Sequence, residues 1–260
     1  MVDSKGSLES HVELELVLMI VSNNPASIAL RISELTSLAD QPLVARPTRT
    51  LHDIYLDTTD RELGRKRINL RLRGTDGDFW ITMKVFPGRF SWKRSERQEV
   101  EVPWSRESLG KVAADLERRG VRMKQPQMTD MFSHLDVLRS MGLQVQQDRE
   151  TERNVREIVE VGSGQVLAEF DIDSVLYHFE EQDFRLFEVE VEAKSDKGRG
   201  LLREIASDLL AKFGSELREW RFGKLVTGRR IEKLWREGAL QGFVDGSTLK
   251  PSAFEKIEKA

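Results

Sequence analysis

Apolar and polar residues alternate along most of the chain, in short runs separated by glycine and proline. This pattern predicts β-strands joined by tight turns. The eight predicted strands cover residues 11–21, 48–58, 67–74, 78–86, 96–104, 149–161, 165–177 and 184–194. Short strands joined by tight turns pair antiparallel. Eight such strands form either a sandwich or a closed barrel.

Between groups of strands, apolar residues recur every three or four positions, which is typical of helices. The predicted helices run from Pro25 to about Ala39, from Ser105 to Gly120, over 130–141, over 196–213 and around Ile231–Trp235. Strands and helices together predict an α+β fold, in which the helices pack outside the sheet.

Five of the strands carry two like charges separated by one apolar residue, a spacing that places both charges on the same face. The pairs are Glu13 and Glu15, Arg71 and Arg73, Glu99 and Glu101, Asp171 and Asp173, and Glu188 and Glu190. One interpretation is the solvated face of a sandwich, in which acidic and basic strands support each other. The other is an inner barrel face, on which acidic strands bind a divalent metal and basic strands bind a polyanion.

Composition narrows the chemistry further. The chain of 260 residues has no cysteine, and its four histidines show no metal-ligand spacing, so any metal would be held by carboxylates, as suits Mg²⁺ or Mn²⁺. The formal net charge of −3 gives no reason to expect nucleic acid or a membrane surface as a partner. The start of the chain lacks the apolar core of a signal peptide, and no run approaches the roughly 20 apolar residues of a membrane span. We therefore expect a cytoplasmic protein.

The order of the charged motifs resembles the CYTH superfamily, also called triphosphate tunnel metalloenzymes. The matching segments are Glu13-Leu14-Glu15-Leu16-Val17, Tyr55-Leu56-Asp57-Thr58, Leu70-Arg71-Leu72-Arg73, Thr82-Met83-Lys84, Arg97-Gln98-Glu99-Val100-Glu101, Arg153, Glu169 to Asp173, Glu188-Val189-Glu190, and Lys224. The family's first motif is ExExK, and Val17 stands where the family has lysine. The resemblance covers residues 11–225.

This resemblance implies a closed eight-stranded antiparallel β tunnel. Residues 1–10 would be a disordered N-terminus, residues 11–226 the tunnel domain, and residues 227–260 a C-terminal helix and tail. It also implies roles for individual side chains. The implied metal ligands for Mg²⁺ or Mn²⁺ are Glu13, Glu15, Asp173, Glu188 and Glu190. The implied triphosphate-binding residues are Arg71, Arg73, Lys84, Arg153 and Lys224. Glu13, Glu15 and Lys84 would also take part in catalysis.

The implied activity is metal-dependent hydrolysis of a triphosphate, with inorganic triphosphate as the first choice because it requires only phosphate recognition. Thiamine triphosphatase is an alternative that needs an aromatic platform, for which Trp80, Trp92 and Trp220 are available. Adenylate cyclase is another, since it would share the metals and the basic residues. Val17 favours a third alternative, a module that binds polyphosphate or a nucleotide without turnover. A β-sandwich interaction protein would bind no triphosphate.

Overall fold

The computed structural model describes residues 11–86, 97–127 and 131–260, with side chains described over 14–86, 99–127 and 131–260. The expected disorder of residues 1–10 lies outside this part of the chain. The strands are β1 His11–Glu13, β2 Glu15–Ile20, β3 Ser37–Leu38, β4 Gln41–Ala45, β5 Arg49–Thr58, β6 Ile68–Thr75, β7 Asp78–Val85, β8 Arg97–Pro103, β9 Leu143–Val159, β10 Val166–His178, β11 Asp183–Ala193, β12 Leu217–Glu219, β13 Val244–Asp245 and β14 Thr248–Leu249. The helices are α1 Pro25–Ser33, α2 Glu62–Arg65, α3 Arg106–Arg118, α4 His134–Ser140, α5 Asp196–Phe213, α6 Lys224–Arg236 and α7 Pro251–Lys259.

The chain divides into two compact units. The first contains the residues up to Glu13 together with His52–Asp148, and the second contains Leu14–Leu51 together with Arg149–Ala260. In the first unit the strands are hydrogen-bonded in the order β1-β8-β7-β6-β5. One face of this sheet is apolar and packs against α3 and α4. Its core contains Leu70, Leu72, Ile81, Met83, Val100, Leu109, Val112, Leu116 and Leu138.

The second unit has β10 and β11 at its centre, paired antiparallel over eleven residues each from Ala168 to His178 and from Asp183 to Ala193. β2 pairs with β11, and β4 pairs with β9. One sheet face packs against α1 and α5. This first apolar layer includes Leu18, Ile20, Ile28, Ile32, Phe170, Ile172, Val189, Val191, Ile205 and Leu209.

On the opposite face of the second unit, the C-terminal segment covers one end of the sheet. We call this packing the second apolar layer; it includes Val17, Met19, Val175, Tyr177, Phe184, Leu186, Trp220, Phe222, Ile231, Leu234, Leu249, Phe254 and Ile257. Since side chains two apart on a strand share a face, Asp171 and Asp173 lie on the same side of β10 as Val175 and Tyr177. The layer therefore covers one end of a face whose other end is charged.

Helix starts follow capping chemistry. Ser105 and Ser195 cap α3 and α5 by accepting hydrogen bonds from the amides of Ser108 and Gly198. A helix over 196–213 was expected, and α5 has these bounds.

The prediction of a closed tunnel of eight strands is wrong in two respects. Among the described residues, the hydrogen-bonded order is an open path from β1 to β13, and there are fourteen strands. The first predicted strand is interrupted at Leu14, so that β1 pairs with β8 whereas β2 pairs with β11. The additional strands are two to five residues long, too short for alternation to reveal. The α+β class and the large antiparallel sheet are confirmed.

The predicted C-terminal tail is also more structured than expected. α6 begins at Lys224 and continues to Arg236, and α7 follows a short β13–β14 hairpin. Within the described residues, no helix has the length and apolar character that crossing a bilayer requires.

Candidate functional site

The second unit brings four carboxylates together on the charged end of its sheet. Asp171 lies directly opposite Glu190 and Asp173 directly opposite Glu188 in the β10–β11 pair. One oxygen from each of Asp173, Glu188 and Glu190 lies within 4.8 Å of the others. These are three of the five predicted metal ligands. β10 and β11 place them on one face because the charged residues of each strand are spaced by two.

Arg153 on β9 contacts three members of this cluster. Its Nη1 lies 2.6 Å from Asp171 Oδ2, and its Nη2 lies 2.6 Å from both Asp173 Oδ2 and Glu190 Oε2. Its Nε also donates to Asp173 Oδ1 at 2.9 Å, which makes the contact with Asp173 bidentate. The predicted phosphate ligand Arg153 therefore lies within the acidic cluster.

Lys224, the first residue of α6, reaches the same cluster from outside the sheet. Its Nζ lies 3.0 Å from Asp173 Oδ2 and 2.6 Å from Glu190 Oε1, and it also contacts Glu188 Oε1. The backbone of Lys224 is held in place by Tyr177, whose hydroxyl donates to the Lys224 carbonyl oxygen at 3.0 Å. Only 8% of the Lys224 side chain is exposed.

Burial and mutual repulsion set the protonation of this cluster. Burial raises the pKa of Asp171 to about 8 despite the attraction of Arg153. Burial likewise raises the pKa of Glu188 to about 7 despite the attraction of Lys224. Burial alone would lower the pKa of Lys224, but Glu188, Glu190 and Asp173 together raise it well above its usual range. Four carboxyl groups face two cations, and the raised pKa values of Asp171 and Glu188 mean that protons take up the excess negative charge in the absence of another cation. A bound divalent cation would relieve the same excess.

The chemistry of these donors fits a hard divalent ion. Every candidate ligand is a carboxylate oxygen, the donor that Mg²⁺ and Mn²⁺ prefer. In addition, Asp171 Oδ1 is buried and accepts no hydrogen bond in the described part of the chain.

The first unit contains a separate charged cluster that also includes predicted site residues. Arg73 forms a bidentate ion pair with Asp53, with Nε–Oδ1 and Nη2–Oδ2 distances of 2.7 and 2.9 Å. Arg71 lies 3.4 Å from the same carboxylate and 3.4 Å from the Tyr55 hydroxyl oxygen. Asp53 is 1% exposed. The two arginines expected to bind phosphate are thus held by a carboxylate of their own unit.

Lys84 is placed in this cluster by the β6-β7-β8 register. Lys84 lies directly opposite Glu99 and contacts its carboxylate. Arg71 lies between the two acidic residues of β8, with its Nη2 3.6 Å from Glu99 Oε1 and 3.7 Å from Glu101 Oε2. Glu101 also accepts a hydrogen bond from Thr82 at 2.8 Å. Glu99 and Glu101 thus form cross-strand ion pairs with these basic residues.

The remaining predicted ligands lie on the first strand region. Glu15 is half-buried and lies opposite Glu192, one row beyond the Val17–Glu190 pair on the same face of the sheet. The backbone of Glu13 belongs to β1, but its side chain lies outside the described residues. Val17 is 7% exposed and belongs to the second apolar layer.

Sequence reasoning missed Asp53 and did not assign a role to Asp171. Asp53 precedes Tyr55 by two residues, so the same-face spacing was the available signal. Asp57 accepts hydrogen bonds from the amides of Thr58, Leu63 and Gly64 and fixes the turn into α2.

Comparison with models of known protein families identifies the family of this chain. The model of the CYTH domain matches residues 22–218. The chain belongs to the CYTH domain family. The resemblance seen in its charged motifs is therefore confirmed. A search of curated protein sequences gave no match.

Solved structures similar to this CYTH protein are distant in sequence. One is HpAC1 from Hippeastrum, described as a candidate adenylyl cyclase with a dominant triphosphatase activity; the TM-score is 0.50 at 18% identity, covering 84% of this chain and 95% of that one. Another is PH1819 from Pyrococcus horikoshii, with a TM-score of 0.48 at 17% identity, covering 85% and 99%. A third is the inorganic triphosphatase NE1496, with a TM-score of 0.25 at 16% identity, covering 72% and 78%. At these identities the similarity to HpAC1 supports the fold alone.

The tryptophans expected to offer an aromatic platform differ in surroundings. Trp220 is 4% exposed, packs in the second apolar layer, and donates from Nε1 to Thr227 Oγ1 at 2.9 Å. It is therefore a core residue. Trp80, on β7, is half-buried and lies opposite Arg73 of β6. Trp92 lies outside the described residues.

Proposed function

We propose that this CYTH protein hydrolyses a triphosphate in a reaction that requires a divalent metal ion, with inorganic triphosphate as the substrate. The observation that carries the proposal is the close grouping of Asp173, Glu188 and Glu190 with two cations beside them, Arg153 and Lys224. Carboxylates in ligand range next to phosphate-binding side chains are what phosphoryl transfer from a metal-bound polyphosphate requires.

In this proposal, Asp173, Glu188 and Glu190 hold Mg²⁺ or Mn²⁺. When bound, such an ion neutralises charge on phosphate oxygens and lowers the pKa of a bound water molecule. Arg153 attracts the phosphate chain through its positive charge, while its guanidinium stays bidentate on Asp173 and orients that carboxylate. The ammonium group of Lys224 stabilises charge on the leaving phosphate. Glu13 and Glu15 remain predicted ligands.

The predicted phosphate-binding role of Arg71, Arg73 and Lys84 is retained as part of the proposal. In the first unit these three cations are matched by Asp53, Glu99 and Glu101. Carboxylates that hold arginine forks in place reduce the entropy lost when the forks bind an oxyanion, and this pre-organisation supports a positioning function. Arginine and lysine side chains recognise phosphate oxygens, which favours the substrate that consists of phosphate alone.

The test is phosphate release from inorganic triphosphate with Mg²⁺, with Mn²⁺ and with a chelator, and with ATP and thiamine triphosphate in parallel. Glu188→Gln should lower the rate at least about 100-fold. The matched control is Glu204→Gln, an exposed residue of α5, which should keep the wild-type rate. Circular dichroism checks that both variants fold.

Several outcomes would redirect the proposal. Metal-dependent turnover of ATP to a cyclic product instead of phosphate would favour the cyclase alternative. Preference for thiamine triphosphate would change the substrate. Tight binding of triphosphate without release of phosphate would support the non-catalytic module that Val17 favours. No binding and no release of any of the three triphosphates would overturn the proposal.

A further inference from the structure

The three carboxylates within metal-ligand distance of one another are the same three that contact Lys224. Nζ of Lys224 lies 3.0 Å from Asp173 and 2.6 Å from Glu190, and it also contacts Glu188. One carboxylate oxygen from each of Asp173, Glu188 and Glu190 lies within 4.8 Å of the other two. The ammonium group thus occupies the position at which these oxygens converge.

An ammonium group and a divalent ion cannot share that position. Mg²⁺ requires oxygen ligands at about 2.0–2.1 Å, closer than an ammonium group approaches them. Two cations of charge +1 and +2 separated by a few ångströms in a partly buried site also repel each other strongly. Binding of a metal to these three carboxylates therefore requires that Nζ move away.

We propose that Lys224 is a displaceable counter-ion: its ammonium group occupies the acidic cluster in the metal-free protein and is released when a divalent cation binds. This inference rests on the proposed function for the identity of the metal site, and it adds an order of binding. The metal binds first, and the released ammonium then contacts the triphosphate.

The structure allows the side chain to move while the backbone stays in place. The Tyr177 hydroxyl holds the carbonyl oxygen of Lys224, and the neighbouring residues Phe222 and Leu225 are buried. The four-carbon stem of lysine has several rotatable bonds, so Nζ can change position without movement of α6. Arg153 is different, since its planar group is fixed by bidentate contact with Asp173. Release is therefore expected at Lys224 and not at Arg153.

The first experiment measures Mn²⁺ binding by calorimetry without triphosphate, for the wild type and for Lys224→Met. Methionine keeps an unbranched stem of four heavy atoms, the length of the lysine carbon chain, and removes the ammonium group. The variant should bind Mn²⁺ at least about tenfold more tightly, because one competing positive charge is gone. Lys212→Met is the matched control, since Lys212 pairs with Asp208 on the surface of α5. It should bind Mn²⁺ with wild-type affinity.

Unchanged or weaker Mn²⁺ binding by Lys224→Met would overturn the proposal, as would the absence of Mn²⁺ binding by both proteins. Because no triphosphate is present, these results are independent of whether the protein hydrolyses one. Metal-loaded Lys224→Met should also bind a non-hydrolysable triphosphate analogue more weakly than the metal-loaded wild type.

A second measurement uses the wild type and does not depend on the folding of a variant. Lysine acylation by a small reagent is followed by mass spectrometry with and without Mg²⁺. Labelling of Lys224 should rise several-fold with Mg²⁺, because the released amine leaves its buried contacts with three carboxylates and becomes accessible to the reagent. Labelling of Lys212 should not change. Unchanged or reduced labelling of Lys224 would contradict its release.

Discussion

Val17 lies directly opposite Glu190 in the β2–β11 pair, and Glu190 contacts both Lys224 and Arg153. The position at which the family motif has lysine therefore borders the acidic cluster. In this chain, however, that position is filled by an apolar side chain of the second apolar layer. The ammonium group beside Glu190 comes from α6 instead.

Replacing Val17 with lysine should lower stability and should not raise the rate of phosphate release. The new ammonium group would be the third cation beside Glu190, and its stem would overfill a packed layer, which costs about 1–3 kcal/mol. Urea unfolding measures the first effect and phosphate release the second, with Val17→Ile as the control. A variant with wild-type stability and faster turnover would show that the family lysine was lost without compensation.

Arg73→Gln should destabilise the first unit. The substitution removes the bidentate contact of the buried Asp53 carboxylate, which Arg71 also contacts at 3.4 Å. Breaking a buried ion pair at one side costs about 3–5 kcal/mol. Asp53→Asn combined with Arg73→Gln should recover part of this loss, as a double-mutant cycle by urea unfolding would measure. Purely additive effects would contradict structural coupling between the two residues.

Gly198→Ala should destabilise the second unit, whereas Gly200→Ala should not. A Cβ at Gly198 would lie 1.9 Å from the carbonyl oxygen of Leu167, so α5 would have to move away from β10. A Cβ at Gly200, in the same helix, meets nothing within 4 Å. Alanine is favoured over glycine in a helix by about 1 kcal/mol. Thermal unfolding should therefore give a lower Tm for the first variant and a slightly higher Tm for the second. Equal shifts would contradict the close approach of α5 to β10.

His134 should make the stability of the first unit depend on pH. Its ring stacks on Phe79 at 4.0 Å and meets Trp104 edge-on at 4.6 Å, and burial lowers its pKa. The unfolded chain therefore protonates His134 more readily than the folded chain does. The contribution of neutral His134 to the free energy of unfolding is fully present above a pH of about 6.5 and is lost as the pH falls below that value. The free energy of unfolding of His134→Gln should therefore fall less than that of the wild type between about pH 7 and pH 5. Equal slopes would exclude His134 as the cause.

The strand faces could be predicted from the sequence because alternation reports directly on side-chain direction. The spacing of Glu188 and Glu190 placed both on one face, and the β10–β11 register then places Asp173 and Asp171 opposite them. The partners of each cation could not be predicted in the same way. The contact of Arg73 with Asp53 joins β6 to β5, and that of Lys224 joins a helix to the sheet. Both depend on tertiary register, about which local spacing carries no information.

The helix predicted to reach Ala39 shows why local pattern misleads. α1 ends at Ser33, and the leucine that continued the apolar stripe, Leu38, belongs to β3 and is fully buried. Ala39 and Asp40 both have positive φ values, of 46° and 57°, and form the two-residue turn between β3 and β4. This conformation favours Asn or Gly, and neither is present here. In contrast, the sequence does contain a signal for α7, which the predicted helices do not include. The signal is a proline at the first helical position followed by apolar residues at helical spacing: Pro251, Ala253, Phe254 and Ile257.

The match to the CYTH model ends at residue 218, but the fold of the second unit does not. A chain shortened to that point would expose Val17, Met19 and Phe184 to water and would leave Glu188 and Glu190 without Lys224. The same deletion would thus remove apolar packing and the neutralising charge in one step. The 42 residues after the match therefore complete both the apolar packing and the charge balance of the face that they border.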